Sequence, residues 1–95
     1  MKLLFRRRVL GNIANVGTDQ PWLIGVFTPT PAAGAFQDFF AWMVDENASE
    51  DEPPFDPDYW TDENWFVEDE NGLRRAIHVP AVYEDGQIRW RWRES

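Results

Sequence analysis

The run Tyr83-Glu-Asp-Gly-Gln-Ile-Arg-Trp-Arg-Trp-Arg93 alternates large apolar residues with arginines directly after a turn sequence. A period of two predicts a half-buried strand, with Ile88, Trp90 and Trp92 on a core face and Arg89, Arg91 and Arg93 on an opposite, cationic face. Asp85-Gly86 is typical of the tip of a two-residue hairpin. We therefore expect residues 73–83 to fold back as the antiparallel neighbour of this strand.

Two further strands are predicted near the N-terminus. Residues 2–16 alternate imperfectly, which indicates a first strand whose parity shifts at a bulge. Residues 17–21 are rich in turn formers and predict the connection to an almost continuously apolar strand over 22–28. Gly25 within that second strand predicts a bulge or the close approach of another element to its backbone.

Residues 31–45 predict the main helix. Thr30 followed by Pro31 favours a helix start, because the threonine oxygen can accept an orphan backbone N–H and proline gives up only a donor that has no partner. The apolar side chains recur at spacings of three and four residues, as in a buried stripe that Trp42 broadens: Phe36, Phe39, Phe40, Met43 and Val44.

The second half of the chain predicts a loop and three strands. Residues 46–58 contain three prolines and six carboxylates, a composition typical of a mobile acidic loop. Asp56-Pro57 favours a short helical turn, residues 65–67 a brief strand, and Gly72 a left-handed turn before residues 73–83. Pro80 lacks a ladder donor and predicts an edge or a bulge.

These elements predict an α+β fold. We expect residues 1–95 to form a single domain in which one antiparallel sheet of about five strands, in the sequence order ββαβββ, packs on one main helix. A chain of this size needs a dense core, which its 15 aromatic residues can supply. Cysteine is absent. The N-terminus lacks the pattern of a signal peptide or a membrane span, so the expected location is cytoplasmic, without a membrane partner.

The charge is divided unevenly along the chain. The net charge is −8, yet residues 45–70 contain twelve carboxylates and no Lys or Arg, and the rest of the chain contains all nine bases against five acids. One interpretation is a solvated acidic loop that neutralises arginine-bearing strands of the same molecule. The other is an acidic surface that steers association with a basic partner.

Chemistry beyond binding has little support in the sequence. His78 is the only histidine, and no cysteine or clearly placed serine accompanies it as a nucleophile. We expect this histidine to form a hydrogen bond with the acidic segment. The carboxylates lack the defined environments of an acid–base pair and the spacing of a calcium loop. The sequence therefore predicts a protein that is not an enzyme and holds no cofactor and no metal.

The segment Asp19-Gln-Pro-Trp-Leu-Ile-Gly-Val-Phe-Thr-Pro-Thr-Pro-Ala32, the aromatics of residues 36–40 and a terminal hairpin ending in Trp90-Arg91-Trp92 resemble a pattern of small, uncharacterised bacterial proteins. The resemblance covers about half of the chain. It implies a bacterial source and the α+β layout, and it transfers no activity. That pattern has a second helix in the middle, where this chain has residues 47–58.

The first functional hypothesis is a non-enzymatic module that binds another protein. We expect its acidic and aromatic middle segment to dock on a basic partner, as in an inhibitor or an immunity or antitoxin-like protein. The residues predicted to contact that partner are Glu50, Asp51, Glu52, Phe55, Asp56, Asp58, Tyr59 and Trp60. If these aromatics belong to the core instead, the carboxylates merely solubilise the chain.

The alternative hypothesis uses the arginines. A strand face bearing Arg89, Arg91 and Arg93, next to Arg74 on the neighbouring strand, would bind an anionic ligand or nucleic acid. Nucleic acid is the less favoured ligand for two reasons. The alternation sends the tryptophans away from the arginine face, and the net charge of −8 repels a polyanion.

Overall fold

The computed structural model describes residues 1–45 and 55–93 of the chain, and one antiparallel sheet of seven strands dominates it. The strands lie in the order β5-β4-β1-β2-β3-β7-β6. Their bounds are β1 Lys2–Phe5, β2 Arg8–Asp19, β3 Trp22–Pro29, β4 Trp65–Glu68, β5 Arg74–Ala76, β6 Ala81–Val82 and β7 Gln87–Trp90. One α-helix, α1 at Gln37–Met43, covers the sheet, and short 3-10 helices lie at Pro31–Phe36, Pro57–Trp60 and Asp62–Asn64.

The expected class, an antiparallel sheet with one α-helix, is confirmed, but the expected count of about five strands is wrong. The predicted first strand divides into β1 and β2 at a tight turn in which Arg6 adopts a positive φ of 56°. The predicted return strand divides into β5 and β6 on either side of Pro80. The connection expected over residues 17–21 shrinks to Gln20-Pro21, because β2 continues to Asp19.

The terminal hairpin forms as expected and closes the sheet on itself. Val82 pairs with Ile88, and further along the same two segments Ile77 pairs with Trp92 and His78 N donates to Arg91 O at 3.1 Å. The pairing slips by one residue between these stretches, at the position predicted for an irregularity around Pro80. Since β5 also pairs with β4, the hairpin links both ends of the sheet.

The tip of this hairpin differs in detail from the prediction. Tyr83 N donates to Gln87 O at 2.8 Å, so three residues form the loop and not two. Gly86 takes the positive φ of 89° that such a three-residue loop needs. Asp85 stays outside the left-handed region, and its Oδ1 accepts from Gln87 N at 2.9 Å.

The core lies between the sheet and the helical segment. Trp90 and Ile88 are fully buried, as the alternation predicts, and Trp92 is half-buried against Trp90 at a ring separation of 6.2 Å. The predicted helical stripe is also buried at Phe36, Phe39 and Phe40. These rings pack around Trp65, itself fully buried on β4.

The helix start differs from the expectation. Residues Pro31–Phe36 form a 3-10 helix before α1 begins at Gln37. Thr30 makes no side-chain cap, because its hydroxyl lies within hydrogen-bond distance of the carbonyl oxygens of Val9 and Leu10, at 3.0 and 3.1 Å. This contact ties the helix start to β2 and leaves the threonine oxygen on the sheet side.

Gly25 marks a close approach, as predicted. A Cβ there would lie 2.6 Å from Ile13 Cγ2 and 3.1 Å from Ala14 O, both on the neighbouring strand β2. No helix in the described ranges, 1–45 and 55–93, is long and apolar enough to cross a membrane.

Candidate functional site

The described residues of the predicted acidic and aromatic segment are half-buried, paired or exposed. Glu50, Asp51 and Glu52 lie outside the described residues. Phe55 and Tyr59 pack on the aromatic core: Phe55 lies 5.5 Å from Phe39, and Tyr59 lies 4.6 Å from Phe36, between ring centroids. Trp60 is 45% exposed. Of the predicted aromatic anchors, Trp60 is the most accessible.

Two carboxylates of this segment bind groups of the same molecule. Asp56 Oδ1 accepts from Asp58 N at 3.0 Å and caps the short helix at Pro57–Trp60. Asp58 Oδ2 lies 2.7 Å from Arg6 Nη2 in an exposed ion pair. This pair supports the interpretation that part of the acidic segment neutralises arginines of the same chain.

The arginines of the predicted cationic face differ in their exposure to solvent. Arg91 is exposed, with its guanidinium carbon 5.3 Å from the centre of the Trp22 ring. Arg89 and Arg93 are half-buried, and the Nε atom of each is buried without a hydrogen-bond partner in the described structure. Arg74 lies over Phe66 at 5.5 Å. Arg91 is therefore the most accessible of the three arginines predicted on this face of the terminal segment, Arg89, Arg91 and Arg93.

An apolar groove lies between the helical segment and the terminal hairpin. We call it the helix–hairpin groove. Its volume is about 550 Å³, which is within the range of small-ligand and side-chain pockets. The lining residues are Phe27, Pro29, Thr30, Pro31, Ala33, Gly34, Gln37, Phe40, Ala41, Val82, Tyr83, Glu84 and Gly86.

The floor of the helix–hairpin groove is part of the core. Phe27, Ala33, Phe40 and Val82 are all less than a tenth exposed. The rings of Phe27 and Phe40 meet edge to face at a centroid separation of 6.3 Å. Because these side chains are packed from below, the floor keeps its shape when the groove is empty.

The walls of the groove are fixed by backbone contacts. Phe27 N donates to Gly86 O at 2.7 Å, which holds the hairpin tip against β3. On the opposite wall, Ala33 N donates to Thr30 O at 3.0 Å within the 3-10 helix. Gly34 leaves open space on this wall, since a Cβ added there would meet no atom within 4 Å.

The rim of the groove is acidic. Glu84 lines it, and no Lys or Arg does so among the described residues. Asp38 and Asp85, both exposed, follow the lining residues Gln37 and Glu84 in the chain. The groove therefore combines an apolar floor with a negative edge, a surface that favours an apolar group flanked by positive charges.

Sequence reasoning missed this groove. Its walls come from two segments far apart in the chain, residues 27–41 and 82–86. Their meeting depends on β7 pairing with β3, which the sequence does not specify. The available signal was local: Pro29 and Pro31 beside small residues, and Tyr83 at the hairpin tip.

The histidine forms the contact expected from sequence. His78 Nδ1 lies 3.0 Å from Asp62 Oδ2. No group of three or more metal-ligating side chains occurs in the part of the chain that the structure describes.

The chain was compared with protein families, curated proteins and solved structures, and none of them matches it. The resemblance to a bacterial pattern noted from the sequence is thus not accompanied by a match to a family model.

Proposed function

We propose that this protein is a non-enzymatic binding module that docks on a basic partner protein by taking an apolar side chain of that partner into the helix–hairpin groove. The observation that supports it most strongly is the pairing of a packed apolar floor with a rim that contains Glu84 and no Lys or Arg among the described lining residues. Concave, mostly apolar pockets with few polar groups are the usual sites of such anchoring.

The charge of the whole chain supports the same kind of partner. A net charge of −8 attracts a basic surface over long distances and speeds association at low salt. A nucleic-acid-binding protein presents a basic surface of this kind. The form of the function that we propose is therefore an inhibitor, or an immunity or antitoxin-like protein, that covers the basic surface of its target.

Trp60 gives the acidic segment a role in this proposal as a second contact site for the partner. It is 45% exposed, and Asp56 and Glu63 near it in the chain are exposed as well. Exposed tryptophans are frequent anchors of protein interfaces. Trp60 is the one residue of the predicted aromatic anchors that could serve in this way without leaving the core.

A pair of synthetic peptides tests the groove. One is a hexapeptide with a central leucine–phenylalanine pair between lysines, and the other has glutamates in place of the lysines. Titration at about 50 mM salt, where electrostatic steering is weakly screened, should show binding of the lysine peptide and none of the glutamate peptide. The backbone amide NMR signals that move should be those of Gly34, Ala41 and Gly86.

Charge reversal provides the matched control. Glu84→Lys changes the rim of the groove, and Glu70→Lys makes the same charge change at an exposed turn between β4 and β5. We expect Glu84→Lys to lower the affinity for the lysine peptide at least fivefold. Glu70→Lys should lower it less than twofold. Equal effects of the two variants, or equal binding of both peptides, would contradict the proposal.

A further inference from the structure

A second concave site lies on another part of the surface, where the β2–β3 turn meets the far end of the terminal hairpin. We call it the Arg91 cleft. Its volume is about 360 Å³. Its lining residues are Thr18, Gln20, Pro21, Trp22, Leu23, His78, Arg91 and Trp92, none of which lines the helix–hairpin groove.

Two polar residues of this cleft, His78 and Arg91, are positioned by the hairpin. His78 N donates to Arg91 O at 3.1 Å, so the two residues lie on adjacent segments. Asp62 then orients the histidine ring: its Oδ2 lies 3.0 Å from His78 Nδ1, and its Oδ1 accepts from Val79 N at 2.9 Å.

The charge at the cleft favours an anion. Arg91 is exposed and lines the cleft. No carboxylate lines it among the described residues, although the exposed Asp19 lies between the lining residues Thr18 and Gln20 in the chain. The nearby Asp62 is engaged by His78 and by the backbone of Val79. Arginine is well suited to this task, because its planar guanidinium donates paired hydrogen bonds to carboxylate or phosphate oxygens.

The apolar walls favour a flat ring. Trp22 and Trp92 both line the cleft, and Trp22 is 36% exposed. The guanidinium of Arg91 lies over Trp22 at 5.3 Å, and that of Arg75 lies over Trp92 at 3.8 Å. Because these guanidinium groups cover one face of each ring, a planar ligand would pack on the guanidiniums or on the ring surface that they leave exposed. The volume of the cleft also exceeds what a lone phosphate or carboxylate group would fill.

From these contacts we infer that the Arg91 cleft binds a small ligand in which a flat ring carries an oxyanion. Arg91 pairs with the oxyanion, and the ring lies against Trp22 and Trp92, beside His78, which also lines the cleft. The oxyanion belongs to a phosphate or a carboxylate, which share this chemistry. This site is independent of the helix–hairpin groove, and each can fail without the other.

Four small probes test this inference. They are phenyl phosphate and benzoate, which have both ring and oxyanion, benzyl alcohol, which lacks the charge, and inorganic phosphate, which lacks the ring. Calorimetry should give measurable binding of phenyl phosphate, benzoate or both, and at least tenfold weaker binding of benzyl alcohol and phosphate. The NMR signals that shift should include the indole N–H of Trp22 and the ring of His78.

Two arginine variants with the same change in charge distinguish binding in the cleft from a general effect of the protein's net charge. Arg91→Gln should lower the affinity for phenyl phosphate and benzoate at least tenfold, because a charge-assisted hydrogen bond is lost. Arg7→Gln, at the exposed turn before β2 and at the opposite end of that strand from Thr18, should leave binding within twofold. Gln20→Glu introduces a negative charge into the cleft wall and should weaken binding even if Arg91→Gln folds poorly.

Four results would overturn the inference. The first is benzyl alcohol binding as tightly as benzoate and phenyl phosphate, and the second is an equal loss of binding in Arg91→Gln and Arg7→Gln. The third is the absence of shifts at Trp22 and His78 when the probes are saturating, and the fourth is the absence of binding by all four probes.

Discussion

His78 Nδ1 and Asp62 Oδ2 lie 3.0 Å apart and join the terminal hairpin to the short helix at Asp62–Asn64. The same carboxylate accepts from Val79 N at 2.9 Å, so both of its oxygens contact one segment of the hairpin. Through this contact, residue Asp62 of the acidic middle of the chain meets the one histidine. The contact explains why part of the acidic segment is folded onto the body of the protein.

The contacts of Asp62 predict a specific dependence of stability on pH. Burial by itself raises the pKa of Asp62, but the hydrogen bond from Val79, that from His78 and the nearby charges of His78 and Arg93 outweigh it, so the pKa lies below its ordinary value of 3.8. The stabilisation is therefore fully present above the unfolded-state pKa and is lost as the pH falls through the lower, folded-state pKa.

The Asp62→Asn variant tests this dependence. The side chain of Asp62 is 42% exposed, so we expect the free energy of unfolding at pH 6 to fall by no more than about 1 kcal/mol. Below pH 4 the difference between variant and wild type should shrink. Urea denaturation at several pH values measures it, with Glu63→Gln as an exposed neighbouring control. A difference that stays constant from pH 6 to pH 2 would contradict the role given to Asp62.

Gly25 predicts a clear contrast between two glycine substitutions. In Gly25→Ala the new Cβ would lie 2.6 Å from Ile13 Cγ2 and 3.1 Å from Ala14 O, so the Ile13 side chain or β2 itself must shift. In Gly17→Ala the Cβ meets no atom within 4 Å. We expect a loss of about 1–3 kcal/mol for Gly25→Ala and a change within about 0.5 kcal/mol for Gly17→Ala. Chemical denaturation of both proteins checks this, and equal stabilities would show that the strands are further apart than described.

Trp90 and Trp60 predict opposite consequences of the same truncation. Trp90 is fully buried and Trp60 is 45% exposed. Trp90→Ala should cost about 3–5 kcal/mol of the free energy of unfolding, enough to unfold a marginally stable domain. Trp60→Ala should cost less than about 1 kcal/mol. Thermal unfolding followed by circular dichroism distinguishes them, and a mild effect at Trp90 would place this tryptophan outside the core.

The Arg6–Asp58 pair predicts a small and salt-sensitive coupling. The two side chains are 56% and 51% exposed, so their attraction is weakened by water. A double-mutant cycle with Arg6→Gln and Asp58→Asn should give a coupling of about 0.2–1 kcal/mol. In 1 M salt the coupling should approach zero, because the screening length falls to about 3 Å. A coupling of the same size at both salt concentrations would mean that the pair is more buried than it is in this structure.

The local elements could be predicted where one physical rule dominates. The alternation of Ile88, Arg89 and Trp90 specifies which face is buried, and the spacing of Phe36, Phe39 and Phe40 specifies the helical stripe. Gly86 takes the positive φ that its position in the turn requires. Each of these features is determined by residues close together in the chain.

The features that sequence reasoning missed have other causes. The β1–β2 turn places Arg6, and not a glycine, at a positive φ, so the usual turn signal is absent. The closure of the sheet requires Ile77 to pair with Trp92, which no local pattern encodes. The helix–hairpin groove depends on the distant pairing of β3 with β7. Residues Glu50, Asp51 and Glu52 lie outside the described ranges and stay predictions.

The proposed docking function is tested most directly by filling the helix–hairpin groove. Gly34→Leu adds a side chain to the open wall of the groove, and Gly17→Leu makes the same change at an equally open position that does not line it. Calorimetric titration with the lysine-flanked peptide measures both variants against wild type. We predict at least a tenfold weaker affinity for Gly34→Leu and an unchanged affinity for Gly17→Leu. Equal affinities of Gly34→Leu and wild type, with both proteins folded, would contradict the assignment of the groove as the docking site.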